Sequence, residues 1–335
     1  MRPIKQQAKR LACHAAARLG PHRWPMPRPR LWILMYHRIL PPDDPRIRLE
    51  EPGMVVTPDT FRHHMQWLQQ EFELVALRDW VARRRQGRVL PRKACAITFD
   101  DGWRDNYEFA FPILKEYGIP ATIFVVSGMI GTNQIFWPNR LARLISHPDI
   151  RNVTLPHSEW LGRFPPDSAP CNTSPEFIAD AIQRGKQLSD GQMLEFLDRA
   201  ERLLALPCDS ERSLLNWDEL LAMINSGLIE IGSHTCAHTR LTRALDPAST
   251  VREISDSRAR IEIMLRRKVL LFCYPNGDVS PNAEAIVKEQ YDAAVTTKAG
   301  VNLTSTPSHL LRRIAVHEDS TRSTAGFFAR LSGLI

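Results

Sequence analysis

The chain has 335 residues, of which 43% are hydrophobic and 24% charged, a composition that excludes a disordered or fibrous protein. Its net charge of +7 is concentrated at the start, because residues 1–30 contain eight Lys and Arg and no acid, whereas the rest holds 36 basic and 37 acidic residues. No apolar run reaches the ~18 residues of a membrane span, and six scattered cysteines without a C-x-x-C pair argue against a disulfide framework.

Residues 1–30 form a basic arm. Ile4, Ala8, Leu11, Ala15 and Leu19 recur at helical spacing, which predicts either a basic amphipathic helix on an anionic membrane or a frayed, alanine-rich tail. Four prolines then predict a linker. Because the arm lacks the apolar core of a secretory signal, we expect a cytoplasmic protein with peripheral contact to an anionic membrane through residues 1–30.

Short apolar runs alternate with helical segments from residue 31 onward, a pattern typical of a parallel sheet, either open or closed into a barrel. Residues 131–215 interrupt it with Pro-rich sequence and short helical patches, and predict an insertion over one rim of the sheet. The predicted parts are therefore the arm (1–30), two barrel segments (31–130 and 216–325) and the insertion (131–215). The apolar runs are Leu31–Tyr36, Phe72–Leu74, Ala94–Phe99, Ala121–Val126, Leu228–Ile231, Val269–Tyr274, Ala293–Thr296 and Ile314–Val316.

Two adjacent carboxylates, Asp100 and Asp101, follow the run Ala94–Phe99 and precede Gly102. The chemistry of parallel sheets and barrels lies at the carboxyl ends of their strands. Two neighbouring carboxylates in an apolar mouth repel each other, so at least one of them needs a cation or metal to stay ionised. The alternative is a solvated Asp-Asp-Gly turn.

Two histidines, His234 and His238, follow another apolar run that ends near Ser233. Their spacing predicts one face of a helical turn, from which both imidazoles reach a single Zn²⁺. An isolated pair of this kind is more often surface decoration, but its position after a strand places it at the same rim as the aspartates. One Asp and two His form a ligand set with open positions for water and a substrate oxygen, as expected of a hydrolytic metal site.

Two further polar groups follow apolar runs. Asn276 lies in a Pro-Asn-Gly turn after the run that ends at Tyr274, and His37 follows the first run. Alone, the first is a turn signal and the second an ordinary partly buried histidine. Beside a metal, however, a fixed turn presents a backbone N–H to a developing oxyanion.

The stretch Thr98–Gly102 resembles the first motif of the polysaccharide deacetylases of the NodB-homology group, known as carbohydrate esterase family 4, and His234–His238 resembles the second. The resemblance implies a distorted (β/α) barrel of about seven strands, here carrying a helical insertion. It also implies that Asp100 is the general base and that Asp101, His234 and His238 hold a divalent metal, commonly zinc.

The chain departs from the family pattern at two places. Cys273 stands where the third motif has the arginine that holds the base, and Arg313 is our first candidate for a substitute cation, with Arg104 second. In addition, no residue near the C-terminus clearly matches the histidine that serves as the family's general acid. The stretch around His37 resembles that motif moved to the N-terminus. This arrangement is found in the circularly permuted branch of the family, which includes biofilm poly-N-acetylglucosamine deacetylases. We therefore expect His37 to be the general acid, with His317 as the alternative.

The sequence therefore predicts a metal-dependent hydrolase that removes N-acetyl or O-acetyl groups from an oligosaccharide or polysaccharide containing N-acetylhexosamine, with the Asn276 N–H assisting at the oxyanion. Two alternatives remain: a deacylase of a lipid-linked or nucleotide-linked sugar at the cytoplasmic membrane face, and a noncatalytic glycan-binding domain. The expected partner is an acetylated glycan. Nucleic acid is not expected, because the basic cluster at residues 83–93 lacks interleaved aromatic residues.

Overall fold

Each of the eight predicted apolar runs coincides with or overlaps a strand in the structure, a computed structural model that describes residues 2–153, 155, 158–162, 173–206 and 211–333. The strands are β1 (Arg30–Tyr36), β2 (Arg38–Ile39), β3 (Val55–Val56), β4 (Glu73–Leu74), β5 (Lys93–Phe99), β6 (Ala121–Val125), β7 (Ile229–Ser233), β8 (Leu271–Cys273), β9 (Ala293–Ala299), β10 (Asn302–Leu303) and β11 (Leu311–Ala315).

Seven of these strands close into a parallel barrel in the order β1-β11-β9-β8-β7-β6-β5, and β1 pairs with β5 along its full length to close the ring. β4 lies beside β5, and β10 lies antiparallel to β1. The distorted (β/α) barrel of about seven strands is thereby confirmed. The two-residue strands β2, β3 and β10 were not predicted, because they are too short to show a periodic pattern.

Helices surround the barrel, and their ends follow from ordinary capping residues. The Thr57 side chain accepts the Thr60 N–H at the start of α2, and Gly118 ends α4 in the left-handed conformation. The helices are α1 (Arg2–Leu19), α2 (Pro58–Glu71), α3 (Leu77–Arg85), α4 (Phe111–Tyr117), α5 (Trp137–Ile145), α6 (Pro175–Gly185), α7 (Asp190–Leu203), α8 (Trp217–Asn225), α9 (Pro247–Val251), α10 (Ser257–Leu265), α11 (Pro281–Gln290), α12 (Glu318–Thr321) and α13 (Thr324–Ser332).

The basic arm is part of the folded body. Helix α1 packs against α13, and a Cβ added at Gly20 would lie 2.6 Å from that of Ser332, so only glycine permits this approach. His22 is buried and stacks on Phe328, with ring centroids 5.3 Å apart. The alternative of a frayed tail is therefore wrong for the described part of the arm, and the linker that follows it is anchored.

The insertion contains helices α5, α6 and α7, which enclose a small apolar core of their own with Leu141, Phe177 and Leu197 at its centre. In its described residues the insertion contains no strand longer than an isolated bridge at Leu214. The structure therefore agrees with the prediction that the insertion is helical.

Four cysteines, Cys13, Cys95, Cys236 and Cys273, are free thiols, as predicted. Cys171 and Cys208 lie outside the described residues. Among the helices that the structure describes, none combines the length and the apolar character that crossing a membrane requires.

Glu230 on β7 gives the fold a pH dependence. Burial raises the pKa of Glu230 to about 7, although Arg78, 3.7 Å away, acts in the opposite direction. The folded chain then holds a proton that the unfolded chain releases above about pH 4.5, so stability falls as pH rises from about 4.5 to 7. At ~1.36 kcal/mol per pKa unit, the loss is on the order of 3 kcal/mol.

We therefore expect Glu230→Gln to flatten the stability profile over this pH range. Urea unfolding at pH 5 and pH 8 measures it, with Glu73→Gln, an exposed carboxylate on β4, as the matched control. Equal pH slopes for wild type and Glu230→Gln would show that Glu230 does not titrate with folding.

Candidate active site

A cavity of about 260 Å³ opens at the carboxyl ends of the barrel strands. It gathers residues from the ends of β1, β5, β7, β8, β9 and β11, which is where a parallel barrel places its chemistry. The sequence-predicted residues that line it are His37, Asp100, Asp101, His234, His238 and Asn276. The structure thus brings the predicted polar groups to one rim, as the strand pattern required.

Asp101, His234 and His238 converge as metal ligands would. The Nε2 atoms of both histidines lie 3.5 Å from Oδ1 of Asp101, and the two rings are 4.9 Å apart between centroids. Nδ1 of His234 lies 2.8 Å from the Cys273 carbonyl oxygen, which only accepts hydrogen bonds. That imidazole therefore donates through Nδ1 and directs Nε2 toward Asp101, the arrangement of a metal-ligating histidine.

His238, the second histidine of the pair, also suits the role of a metal ligand. Burial lowers the pKa of His238 to about 4, with the neighbouring His234 acting in the same direction. His238 is therefore neutral near pH 7, as a metal ligand must be. The donor set of one carboxylate and two imidazoles fits a divalent cation such as zinc.

The two histidines do not lie on a helical turn, so that prediction was wrong. Thr235 and His238 have positive φ angles of 67° and 60°, which break any helix. Glu253 holds the loop instead: its carboxylate accepts the backbone N–H groups of Cys236 and Ala237 and the Thr239 hydroxyl at 2.9–3.0 Å. Sequence reasoning missed Glu253, because nothing local marks a carboxylate that acts 15 residues away from the loop it holds.

Asp100 is held by Arg313. The two guanidinium nitrogens lie 2.7 Å from the two carboxylate oxygens, and Arg313 is completely buried. Burial raises the pKa of Asp100, but Arg313 outweighs it, so the pKa lies below its ordinary value. The structure therefore places Arg313 where the sequence predicted a substitute cation. Arg104, the second candidate, pairs with Glu108 and Glu219 instead.

Cys273 lies beside this ion pair, with its sulfur 3.1 Å from Arg313 Nη2 and 3.5 Å from Asp100 Oδ2. Asp100, His234 and Cys273 could also be read as a metal cluster. We favour the Asp101 set, since burial raises the pKa of the Cys273 thiol and both Asp100 oxygens already accept from Arg313. The small cysteine leaves room for an arginine that arrives from β11 rather than from β8.

His37 and Asn276 face the cavity from opposite strands. His37 Nε2 lies 3.9 Å from Asp100 Oδ2, while Asn276 adopts a left-handed φ of 54° in its turn. His317, the alternative acid, is not among the described residues that line the cavity; its ring contacts Ser320. Geometry therefore favours His37 over His317.

Trp103 connects Asp101 to a buried charge network. Its indole N–H donates to Asp101 Oδ2 at 2.9 Å, and the Arg38 guanidinium stacks 4.1 Å from its ring centroid. Arg38 in turn pairs with Asp105 and Glu50, both buried. Trp103 is only 2% exposed, and its indole N–H orients a carboxylate.

Among the other aromatic residues near the predicted motifs, Tyr274 is fully buried and Trp217 packs on the barrel core, whereas Trp137 lines the cavity. Trp137 belongs to the insertion, which also contributes Asn139 and Lys186 to the cavity wall. The insertion thus forms one side of the site.

Arg240, two residues after His238, fixes the insertion to the histidine loop. Its Nε and backbone N–H both donate to the Asp190 carboxylate, at 2.7 and 2.9 Å. Its terminal nitrogens donate to the backbone carbonyls of Lys186 and Leu188. The position of the insertion is therefore coupled to the loop that carries His238.

Comparison with known proteins agrees with this geometry. A family model described as polysaccharide deacetylase matches residues 87–293, which include the aspartate pair, the histidine loop and the insertion. The chain belongs to the polysaccharide deacetylase family. The resemblance drawn from the two motifs is thereby confirmed.

Individual members of the family are more distant. The chain is 32% identical over 138 residues to YxkH of Bacillus subtilis, covering 41% of this chain and 46% of that protein. It is 33% identical over 89 residues to the poly-beta-1,6-N-acetyl-D-glucosamine N-deacetylase of Staphylococcus epidermidis, covering 26% and 30%. The matches thus span less than half the length of these relatives.

Among solved structures, the fold is similar to that of the Streptococcus pyogenes deacetylase PplD in complex with acetate. The TM-score is 0.58 at 18% identity, over 88% of this chain and 95% of that one. At this identity the likeness concerns the fold.

Proposed function

We propose that this protein is a metal-dependent deacetylase that removes N-acetyl groups from a polysaccharide containing N-acetylhexosamine. The observation that carries the proposal is the convergence of Asp101, His234 and His238 beside an Asp100 carboxylate that Arg313 keeps ionised. Family membership supports deacetylation of a polysaccharide, and the name of the staphylococcal relative supports an N-acetylglucosamine polymer.

The ligands proposed for a divalent cation are Asp101 and the two histidines, with zinc as the expected ion. Bound there, such an ion supplies Lewis-acid polarisation of an acyl oxygen and lowers the pKa of water. The Trp103 indole N–H and the Cys273 carbonyl oxygen would hold Asp101 and His234 in place as ligands.

The remaining residues would perform the proton transfers. Asp100, ionised and fixed by Arg313, accepts a proton from the attacking water as general base. Asn276 lines the same cavity, and its backbone N–H would donate to the developing oxyanion. His37, which lines the cavity with its Nε2 atom 3.9 Å from Asp100 Oδ2, would deliver a proton to the departing amine as general acid.

The noncatalytic alternative is weakened by Arg313. The presence of Cys273 in place of the family's arginine favoured a noncatalytic glycan-binding domain. Such a domain, however, would not need to keep Asp100 charged. The buried bidentate pair between Arg313 and Asp100 replaces the missing cation. Deacylation of a lipid-linked or nucleotide-linked sugar uses the same residues and differs only in substrate.

The test is acetate release, measured by mass spectrometry, from a panel of substrates with the purified, zinc-loaded protein. The panel contains N-acetylglucosamine oligomers and polymers, O-acetylated glycans, and a nucleotide-linked N-acetylhexosamine. We expect release from the N-acetylated oligomers and polymers. Release from the nucleotide-linked sugar alone would favour the alternative substrate, and release from none would contradict the proposal.

Trp103→Phe should weaken metal binding about 10–100-fold, the usual effect of removing a hydrogen bond to a metal ligand. Competition with a zinc chelator measures the affinity. Trp80→Phe is the matched control, since Trp80 is equally buried and its indole N–H has no partner among the described residues. Equal zinc affinities in the two variants would show that the Trp103–Asp101 hydrogen bond does not orient the ligand.

A further inference from the structure

The end of the barrel opposite the cavity, where the strands begin, carries exposed apolar side chains. We call this end the basal face and define it by Leu19, Trp24, Val89 and Leu303, which are 70%, 58%, 91% and 45% exposed. Single exposed apolar residues are common, but a group on one face marks an interaction surface. These four come from three separate parts of the chain.

Backbone contacts place the three parts side by side. The Trp24 indole donates to the Leu19 carbonyl at 2.9 Å, so the end of α1 and the linker form one unit. Arg92, at the end of the loop that carries Val89, donates to the Met26 carbonyl and accepts the Arg30 N–H through its own carbonyl. Arg30 also pairs with Leu303 across β1 and β10. The basal face is therefore continuous.

The outer side of α1 extends the apolar character of this face. Leu11, Ala15 and Leu19 are exposed at helical spacing, whereas Ala16 and Gly20 face the barrel. The apolar stripe predicted from the sequence thus points into solvent over its described part, while the small residues between make the internal contact. A helix that buries Ala16 and Ala17 and exposes its leucines presents an apolar side to something outside the fold.

The same face is strongly basic. Arg28, Arg83, Arg88 and Arg92 are exposed and form no ion pair within the described part of the chain. Two further arginines are neutralised locally, Arg23 by Glu71 and Arg85 by Asp292. Three acids, Glu73, Asp79 and Glu230, line a pocket with Arg83, but Asp79 and Glu230 lie 3.5 and 3.7 Å from Arg78. The four unpaired arginines therefore leave the face with an excess of positive charge. A second copy of this chain is a poor occupant for such a surface, because two basic faces repel each other.

We propose that the basal face docks on the surface of an anionic lipid bilayer. Exposed leucine, valine and tryptophan beside unpaired arginines are the composition of surfaces that lie in the headgroup region, with the basic groups drawn to acidic lipids. The arm and the basic cluster at residues 83–93, which looked like two unrelated features in the sequence, form one surface. Docking in this orientation leaves the catalytic cavity facing away from the bilayer, open to a polymer.

The decisive experiment is co-sedimentation of the full chain with vesicles of phosphatidylcholine plus phosphatidylglycerol, and with phosphatidylcholine alone. The test variant is Arg88→Glu with Val89→Asp, and the matched control is Arg202→Glu with Leu203→Asp, an exposed Arg-Leu pair on the insertion. All four side chains are exposed, so neither variant disturbs packing. We expect binding to anionic vesicles only, reduced at least tenfold in the test variant and unchanged in the control.

Binding should also weaken as salt rises, because the attraction is screened over ~8–10 Å at physiological ionic strength. The proposal is overturned if the wild type fails to sediment with anionic vesicles at low salt, if both variants lose binding equally, or if the basal variant affects binding to DNA and not to vesicles. Acetate release from a soluble glycan should be the same in all three proteins, so failure of docking is distinguishable from failure of the proposed catalysis.

Discussion

Asp100→Asn is expected to lower kcat by at least a hundredfold while leaving the metal content unchanged. General-base catalysis contributes ~10²–10⁴-fold, and an amide does not accept the proton that the carboxylate takes from water. The Asp100 side chain points at Arg313 and lies outside the set of Asp101 and the two histidines, so its replacement leaves the ligands intact.

Asp105→Asn is the matched control for this variant. Asp105 is also completely buried and also pairs with a buried arginine, Arg38, but it does not line the cavity. Both variants weaken a buried ion pair and should lose stability in urea, whereas only Asp100→Asn should lose turnover. If Asp100→Asn kept more than about a hundredth of the wild-type rate, another group would be the base.

His238→Ala is expected to remove the bound metal and, with it, all measurable hydrolysis. With one of three protein ligands missing, the remaining carboxylate and imidazole form an incomplete site. Elemental analysis of the purified proteins should give close to one zinc ion per chain for wild type and nearly none for the variant.

His37→Ala serves as the comparison, since His37 lines the same cavity but is not part of the ligand set. It should retain the metal and lose turnover through the missing proton donor. Equal zinc in wild type and His238→Ala would place the metal elsewhere, and the Asp100, His234 and Cys273 cluster would then be the site to examine.

The sequence predicted most accurately those features that depend on local patterns of residues. Apolar runs that end in polar residues predicted the barrel strands and the rim at which Asp100, Asp101, His234 and His238 meet, because strand ends of a parallel barrel share one side. The same reasoning led to Arg313, because it lies on a late strand of the predicted barrel. In the structure its side chain crosses the barrel interior to Asp100.

Sequence reasoning failed where long-range contacts override local pattern. The His-x-x-x-His spacing suggested a helical turn, but left-handed residues and the distant Glu253 carboxylate set a different loop. The sequence likewise does not show that Trp103 contacts both Arg38 and Asp101. No periodicity in the sequence encodes such side-chain partners, which depend on how the strands are ordered in the barrel.

The contacts of the insertion with the rest of the protein could not be predicted from the sequence either. Its helical character was predicted, but the contacts through which Arg240 joins it to the histidine loop depend on how two remote segments meet. Its contribution of Trp137 and Lys186 to the cavity makes it the part of the site most suited to select a substrate. The groups proposed for catalysis at the rim and the insertion residues of the cavity wall thus come from different parts of the chain.

The central claim, that Asp101 and the two histidines assemble a metal-dependent deacetylation site around Asp100, is tested most directly by a single turnover assay. Zinc-loaded wild-type protein and Asp100→Asn are incubated with a β-1,6-linked N-acetylglucosamine oligomer, and acetate and free amine are quantified together by mass spectrometry. The account predicts equal amounts of acetate and amine from wild type, with none above background from the variant. Acetate from both proteins at the same rate, or from neither, would contradict it.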